Sequence, residues 1–366
     1  MGQTALSSLL DELSADPAPL VLSRANGAWD PLGGRFGVDV LGLAAALSGY
    51  GLGAGACAAV LGSEGRGTLC AGLAVIAAGA TLVPLDPTLS DEALRRALAA
   101  TGAVHAIASD ERQLERILAL RPELAALELT LLLSAESSER RPAALLVETA
   151  IDVGTASLVW DPGRLRRALA ESERGTACLL VDAAGEVRPV GRAVLLAVAD
   201  VVAQAIGVAR RKAVLVALPV GCIERLAAAL AVLGRGATLL LPDPSERPDA
   251  GLDQHPADAV LLNVSGVTRL HRAWLEDIQA KSWMGRSVTR WALRQRKVLE
   301  SHGWKHRIAE QLALRGLRNK LGGRAAALDV IAGRGREASA ELDAFFSATG
   351  LTVRYFSPDI RGGLAR

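Results

Sequence analysis

The sequence predicts an α/β fold built on mostly parallel sheets. Short apolar runs of strand length, such as Ala177-Cys178-Leu179-Leu180-Val181 and Ala213 to Leu218, alternate with stretches of helical periodicity, such as Ala193 to Ile206 and Glu224 to Leu233. That alternation is the mark of a parallel sheet covered by helices on both faces. Hydrophobic residues make up 50% of the 366 positions and aromatic ones only 3%, so the core must be assembled from Ala, Leu and Val. The length allows two lobes.

Taken in order, Thr4 to Leu13 reads as an amphipathic helix stopped by Pro17 and Pro19. Asp39 to Leu47 is a short helix, Gly51 to Gly55 a turn, and Ala56 to Leu61 a strand. Helix Thr68 to Ala78 leads into strand and turn over residues 79–87. Ser90 is an N-cap, with Asp91 and Glu92 in the first turn of the helix it opens. Ala103 to Ala108 is a strand, Glu111 to Leu120 a helix and Leu127 to Leu133 a strand, with a polar loop over Ser134 to Arg141. Asp161-Pro162-Gly163 marks a turn before helix Arg164 to Ala170. In the central stretch, strand 177–181 is followed by a turn over Asp182 to Gly191, helix Ala193 to Ile206, strand Ala213 to Leu218, helix Glu224 to Leu233 and strand Ala237 to Leu241. Ligands of such sheets bind in loops beyond the strand C-termini, so the turn after Val181 falls where a phosphate loop is expected. After a Pro/Asp-rich connection come strand Ala259 to Val264, a basic helical region over Arg269 to Arg324, strand Ala325 to Val330, and a helix and strand ending at Tyr355.

Several chemistries lack their residues. The run Gly51-Leu52-Gly53-Ala54-Gly55 lacks the spacing and the strand-helix setting of a dinucleotide loop. No GxSxG stands anywhere, which leaves an esterase elbow unsupported. His302 and His306 are four apart but lack the intervening Glu of a zinc hydrolase, and no metal is expected. Cys57, Cys70, Cys178 and Cys222 form no CxxC pair and read as buried free thiols. Val40 to Ser63 and Gly67 to Leu85 carry no charge, but the first is rich in Gly and Ala and the second is broken by Pro84. Neither is taken as a membrane span, and the expected location is cytoplasmic, with room for peripheral association at a membrane surface.

The net charge of +2 hides an asymmetry. Residues 269–324 hold fourteen Lys or Arg against four Asp or Glu, together with Trp274, Trp283, Trp291 and Trp304. One reading is a surface meeting anionic lipid or an acyl chain through these tryptophans. The plainer reading is a solvated helical hairpin with tryptophan stems in the core, since at about 100° per residue the four do not share one face. Nucleic acid ranks last.

Certain phrases carry a resemblance. Ala78-Gly79-Ala80 through Val83-Pro84-Leu85-Asp86-Pro87-Thr88-Leu89, then Arg188-Pro189-Val190-Gly191, then Leu218-Pro219 with Glu224-Arg225, and then Gly236-Ala237-Thr238-Leu239 occur in sequence order. They resemble the adenylate-forming (AMP-binding) superfamily, in particular its long-chain fatty acyl-CoA synthetase branch. Trp291-Ala292-Leu293 and Leu317 to Arg324 are similar to a basic helical insertion of that branch. The resemblance implies two stacked α/β lobes of the acyl-CoA synthetase N-terminal domain type, over residues 1–170 and 171–366, lacking the small barrel and the mobile C-terminal domain with its adenylation lysine. It implies nucleotide-binding positions at Arg188, Gly191, Glu224, Gly333, Tyr355 and Asp359.

The departures from that family bear on activity. Its loop reads YTSGTTGxPKG, in which backbone amides, hydroxyls and a lysine offset phosphate charge. Here Asp182, Ala183, Gly185 and Glu186 stand at hydroxyl positions, Val190 at the lysine and Cys222 at a later histidine. The expectation is a non-catalytic relative that assigns no catalytic residue, needs no cofactor and binds an acyl chain, another synthetase or a further protein partner. Two alternatives stay open. One is a ligase using ATP and Mg through substitutes such as Arg188, Arg334 and Arg336; the other is a basic interaction module acting through residues 269–324.

Overall fold

Two seven-stranded, mostly parallel sheets form the body of the protein. The computed structural model describes residues 10–14, 21–30, 35–62, 65–134, 144–289, 319–332 and 340–357, leaving out positions 12, 26, 220 and 326. The strands are β1 (Val21–Ala25), β2 (Ala28–Trp29), β3 (Cys57–Leu61), β4 (Thr81–Leu85), β5 (His105–Ala108), β6 (Leu129–Leu132), β7 (Leu145–Leu146), β8 (Thr176–Val181), β9 (Val187–Gly191), β10 (Ala213–Ala217), β11 (Thr238–Leu241), β12 (Ala259–Asn263), β13 (Ala327–Ile331) and β14 (Thr352–Phe356). The helices are α1 (Phe36–Gly49), α2 (Arg66–Ala77), α3 (Asp91–Thr101), α4 (Glu111–Leu120), α5 (Val147–Trp160), α6 (Arg164–Glu171), α7 (Arg192–Ile206), α8 (Ile223–Leu233), α9 (Val264–Ala280) and α10 (Ala340–Thr349).

One sheet runs β7-β6-β5-β3-β4-β8-β9 and the other β14-β13-β12-β10-β11-β1-β2. Two stacked lobes are thus present, and each sheet draws strands from both sides of position 170/171. β8 lies beyond it in sequence, yet joins the first sheet beside β4, with Leu82 opposite Cys178. β1, from the N-terminal region, joins the second sheet beside β11 through Val21↔Leu239. Each sheet therefore takes two strands from the other half of the sequence, β8 and β9 in one case and β1 and β2 in the other, an exchange that hydrophobic runs alone do not reveal.

Alternation along the strands makes the layers. Val60 faces a core shared by both sheets, into which α1, α2, α7 and α8 also pack. Ala59 and Leu61 face the opposite way, onto α3 and α4. On the second sheet, Leu215, Leu240 and Val260 face outward onto Trp274 of α9 and onto Phe345 and Phe346 of α10. With so few aromatics, the shared core is built from Ala, Leu and Val, as the composition requires.

Small residues permit close approach where helices cross. A Cβ on Gly154 would lie 1.8 Å from the Gly42 carbonyl oxygen, so α5 and α1 touch backbone to backbone. The expected cap at Ser90 is present, its hydroxyl accepting the Ala93 amide at 3.2 Å. α5 has no counterpart in the sequence reading, because it buries only Val147, Ala150 and Gly154 and so shows little periodicity. The N-terminal helix and the loop over 134–141 lie largely outside the described residues. Among the described residues, no helix is long and apolar enough to cross a membrane.

Candidate functional site

β8 and β9 form an antiparallel hairpin, pairing Val181 with Val187 and Leu180 with Arg188. The segment expected as one turn from Asp182 to Gly191 is therefore a turn over 182–186 followed by a strand. The apolar Val187 and Val190 pair back onto β8, and this shortens the turn. Because β8 is parallel to β4, the turn emerges at the C-terminal edge of the first sheet, where a ligand loop is expected.

The turn is closed on itself. The amide of Gly185 donates to the Asp182 carbonyl at 2.9 Å, and that of Asp182 to the Glu186 carbonyl at 3.1 Å. Asp182 Oδ1 accepts the amides of Ala184 at 2.9 Å and Glu186 at 3.0 Å. One carboxylate oxygen thus takes two of the amides that an anion in this turn would use. Asp-Ala-Ala-Gly is the sequence signal for such an Asx turn. Gly185 has φ +82° and is buried, and a Cβ there would meet the Ala93 carbonyl oxygen of α3 at 2.8 Å, so the turn is also pinned by its packing.

The sequence-predicted positions are dispersed. Arg188 is exposed on the edge strand, Gly191 precedes α7 as its N-cap without a side-chain cap, and Glu224 sits in the first turn of α8. Tyr355 does not join them. Its ring packs toward the outer core of the second sheet, and its hydroxyl donates to Asp343 Oδ1 of α10 at 2.6 Å. Burial and that neighbouring carboxylate both push the phenol up. The register of β14 turns Tyr355 to the outer face of the second sheet. Gly333, Arg334, Arg336 and Asp359 lie outside the described residues.

Between the lobes, β8 and the start of α8 share a crevice of about 50 Å³, lined by Val60, Leu82, Leu180, Ile223, Leu226 and the two cysteines Cys178 and Cys222. Its space is that of about two water molecules. Burial drives both thiols up to about 12, so neither is a ready nucleophile. All four cysteines are free, and no group of metal-binding side chains occurs among the described residues.

Arg192, at the start of α7, escaped the sequence reading. It is buried, and donates to the carbonyls of Ala80 at 3.0 Å and Ile76 at 3.4 Å. Desolvation lowers its affinity for the proton. A lone charge heading the apolar run Ala193-Val194-Leu195-Leu196 is the signal that could have found it. It caps the end of α2 and does not line the crevice.

The tryptophans of the basic region part company. Trp274 is fully buried and its indole N–H donates to Asp249 Oδ2 at 2.7 Å, so it is a core residue and not a membrane contact. The same Asp249 accepts Arg247, which also binds Asp277, and Lys320 pairs with Asp277. Trp283 is 73% exposed beside exposed Met284. Trp291, Trp304, His302 and His306 lie outside the described residues.

Two layers of mostly parallel sheet, with a β-hairpin at the edge of one, form a fold shared with solved ligase structures. The model of the AMP-binding enzyme family matches residues 36–159. No curated protein sequence matches the chain. Among solved structures, one described as a long-chain-fatty-acid CoA ligase from Rhodopseudomonas palustris aligns with TM-score 0.65 at 13% identity, covering 96% of this chain and 74% of that one. Acetoacetyl-CoA synthetase from Streptomyces lividans aligns with TM-score 0.67 at 14% identity, covering 97% and 51%. An acyl-CoA synthetase from Brucella canis gives 0.66 at 12%, covering 98% and 58%. The chain thus spans roughly half to three quarters of these relatives. The family model is confined to residues 36–159, and over the rest of the chain the likeness to these ligases is one of fold.

Proposed function

We propose that this adenylate-forming ligase-like protein is a non-catalytic relative of the long-chain fatty acyl-CoA synthetases, one that binds an acyl chain or a partner without activating a carboxylate. The observation that carries the reading is the Asp182 carboxylate seated on the amides of Ala184 and Glu186. Adenylation needs donors and cations aimed at phosphate oxygens. Here a fixed negative group holds that place, Glu186 adds a second exposed acid, and Val190 at the lysine position is buried in the core shared by the two sheets.

The apolar lining of the crevice supports an acyl ligand, while its volume admits only the first atoms of a chain unless α8 shifts from β8. Calorimetric titration of the whole chain with ATP-Mg and, separately, with palmitate tests this. Silence for ATP-Mg with heat for palmitate supports acyl binding. Silence for both moves the reading to a protein partner, sought by pull-down with an intact synthetase. Pyrophosphate release with ATP and a long fatty acid overturns the non-catalytic reading and restores a ligase using ATP and Mg, with exposed Arg188 as a candidate phosphate contact.

A further inference from the structure

We propose that the outward face of α5 is a self-association surface, on which a second copy of this chain docks antiparallel about a two-fold axis near Val153. The inference is independent of the nucleotide reading. Of the exposed large hydrophobic side chains among the described residues, Leu146 (41%), Val153 (51%), Val159 (76%) and Trp160 (89%) all belong to this one helix and the residue before it. Val153 and Trp160 are seven residues apart on the helix, Leu146, the extended residue that ends β7 and caps the helix, stands seven before Val153, and the exposed small residues Thr149 and Ala156 fall between them. That is the spacing of a two-helix seam. Residues Val147, Ala150 and Gly154 use a different face, the one pressed onto α1.

Shape and charge select the occupant. In an antiparallel pair centred on Val153, Leu146 of each copy meets Trp160 of the other, while Thr149 and Ala156 let the backbones close up at the middle. The helix carries its acids, Glu148 and Asp152, in the N-terminal half, whereas one acid, Asp161, and three bases, Arg164, Arg166 and Arg167, follow its C-terminus and leave that end positive. Arg166 and Arg167 each pair with one acid of their own chain and remain about 60% exposed. An antiparallel partner brings these arginines toward the acidic end, and a parallel one would set acid against acid. Such a pattern is self-complementary, as a two-fold interface requires. Fourteen residues make a seam about 21 Å long. An interface of that length is at the small end for stable dimers, so assembly is expected at about micromolar concentration or above.

Sedimentation velocity of the full chain, from about 1 to about 100 µM, tests the proposal. The expected result is a shift from 38.1 kDa toward twice that mass. Val153→Asp and Trp160→Ser should each abolish it with an unchanged circular dichroism spectrum. Orientation is read by cysteine cross-linking against the unaltered chain as control. Val153→Cys should cross-link with itself, and Leu146→Cys should cross-link with Trp160→Cys on mixing but not with itself. A monomer throughout the range overturns the proposal, as does self-cross-linking of Leu146→Cys without the mixed product. A monomer that floats with anionic vesicles and loses flotation in Trp160→Ser also overturns it, assigning the face to a membrane.

Discussion

Asp182 and Glu186 are joined twice, by the Glu186 amide donating to Asp182 Oδ1 at 3.0 Å and by the Asp182 amide donating to the Glu186 carbonyl at 3.1 Å. The turn is held by its own first side chain. Asp182→Ala removes the acceptor of two amides at an exposed site, where water can replace it in part. The expected loss is about 1 kcal/mol. Asp182→Asn retains an acceptor oxygen and should recover most of it. Chemical denaturation measures both. Neither variant restores a cation, so titration with ATP-Mg should remain silent in each.

Much of this arrangement was legible beforehand. The strand, a turn beginning at Asp182 and the helix after it follow from an apolar run, a Gly-bearing polar stretch and a second apolar run, while the Asx closure of that turn is seen only in the structure. The strand character of Val187 to Gly191 was not legible, because a five-residue edge strand containing Pro189 carries no periodic signal. The exchange of β1 and β8 between lobes escaped for another reason. Both are short buried strands that fit either sheet, and only packing of the whole chain decides between them. Trp274 and Tyr355 show a third limit. Whether an aromatic faces core or ligand depends on helix phase and strand register, which a single sequence does not determine at an insertion or a tail.

Gly154 provides a test of the first lobe. A Cβ there would stand 1.8 Å from the Gly42 carbonyl oxygen and 2.7 Å from the Ala46 nitrogen, both backbone atoms. Neither can yield without separating α5 from α1. Gly154→Val is expected to cost about 3 kcal/mol, at the upper end for overpacking. Gly49→Ala is the control: its Cβ would meet no atom closer than 3.8 Å, so substitution there should be nearly neutral. Thermal unfolding of both variants measures the difference.

Trp274 and Trp283 should behave oppositely. Trp274→Ala opens a cavity beside Phe345 and Phe346 and is expected to cost about 3–5 kcal/mol. Trp274→Phe retains most of the bulk and removes only the indole donor to Asp249, which still accepts Arg247. Its cost should be nearer 1 kcal/mol. Trp283→Ser, at an exposed site, should move stability by less than about 0.5 kcal/mol. Guanidinium melts of the three variants check the order.

Asp329 gives a pH dependence whose sign can be worked out. It lies buried in the middle of β13, with Arg354 Nη2 of β14 donating to its Oδ2 at 2.8 Å. Burial raises its proton affinity above the usual carboxylate range, and the half-exposed Arg354 only partly opposes this. A raised folded value means that the stability from this site is complete below the unfolded value, about 3.9, and is lost as pH rises through the folded one. Asp329→Asn has no proton to lose. Its thermal midpoint relative to the unaltered chain should therefore climb as pH is raised from about 4, then level off once Asp329 is fully ionised. Arg354→Ala, which removes the opposing charge, should steepen the loss in the unaltered Asp329 background. A midpoint difference that falls with rising pH would show the Arg354 pairing to outweigh burial, and would reverse the sign argued here.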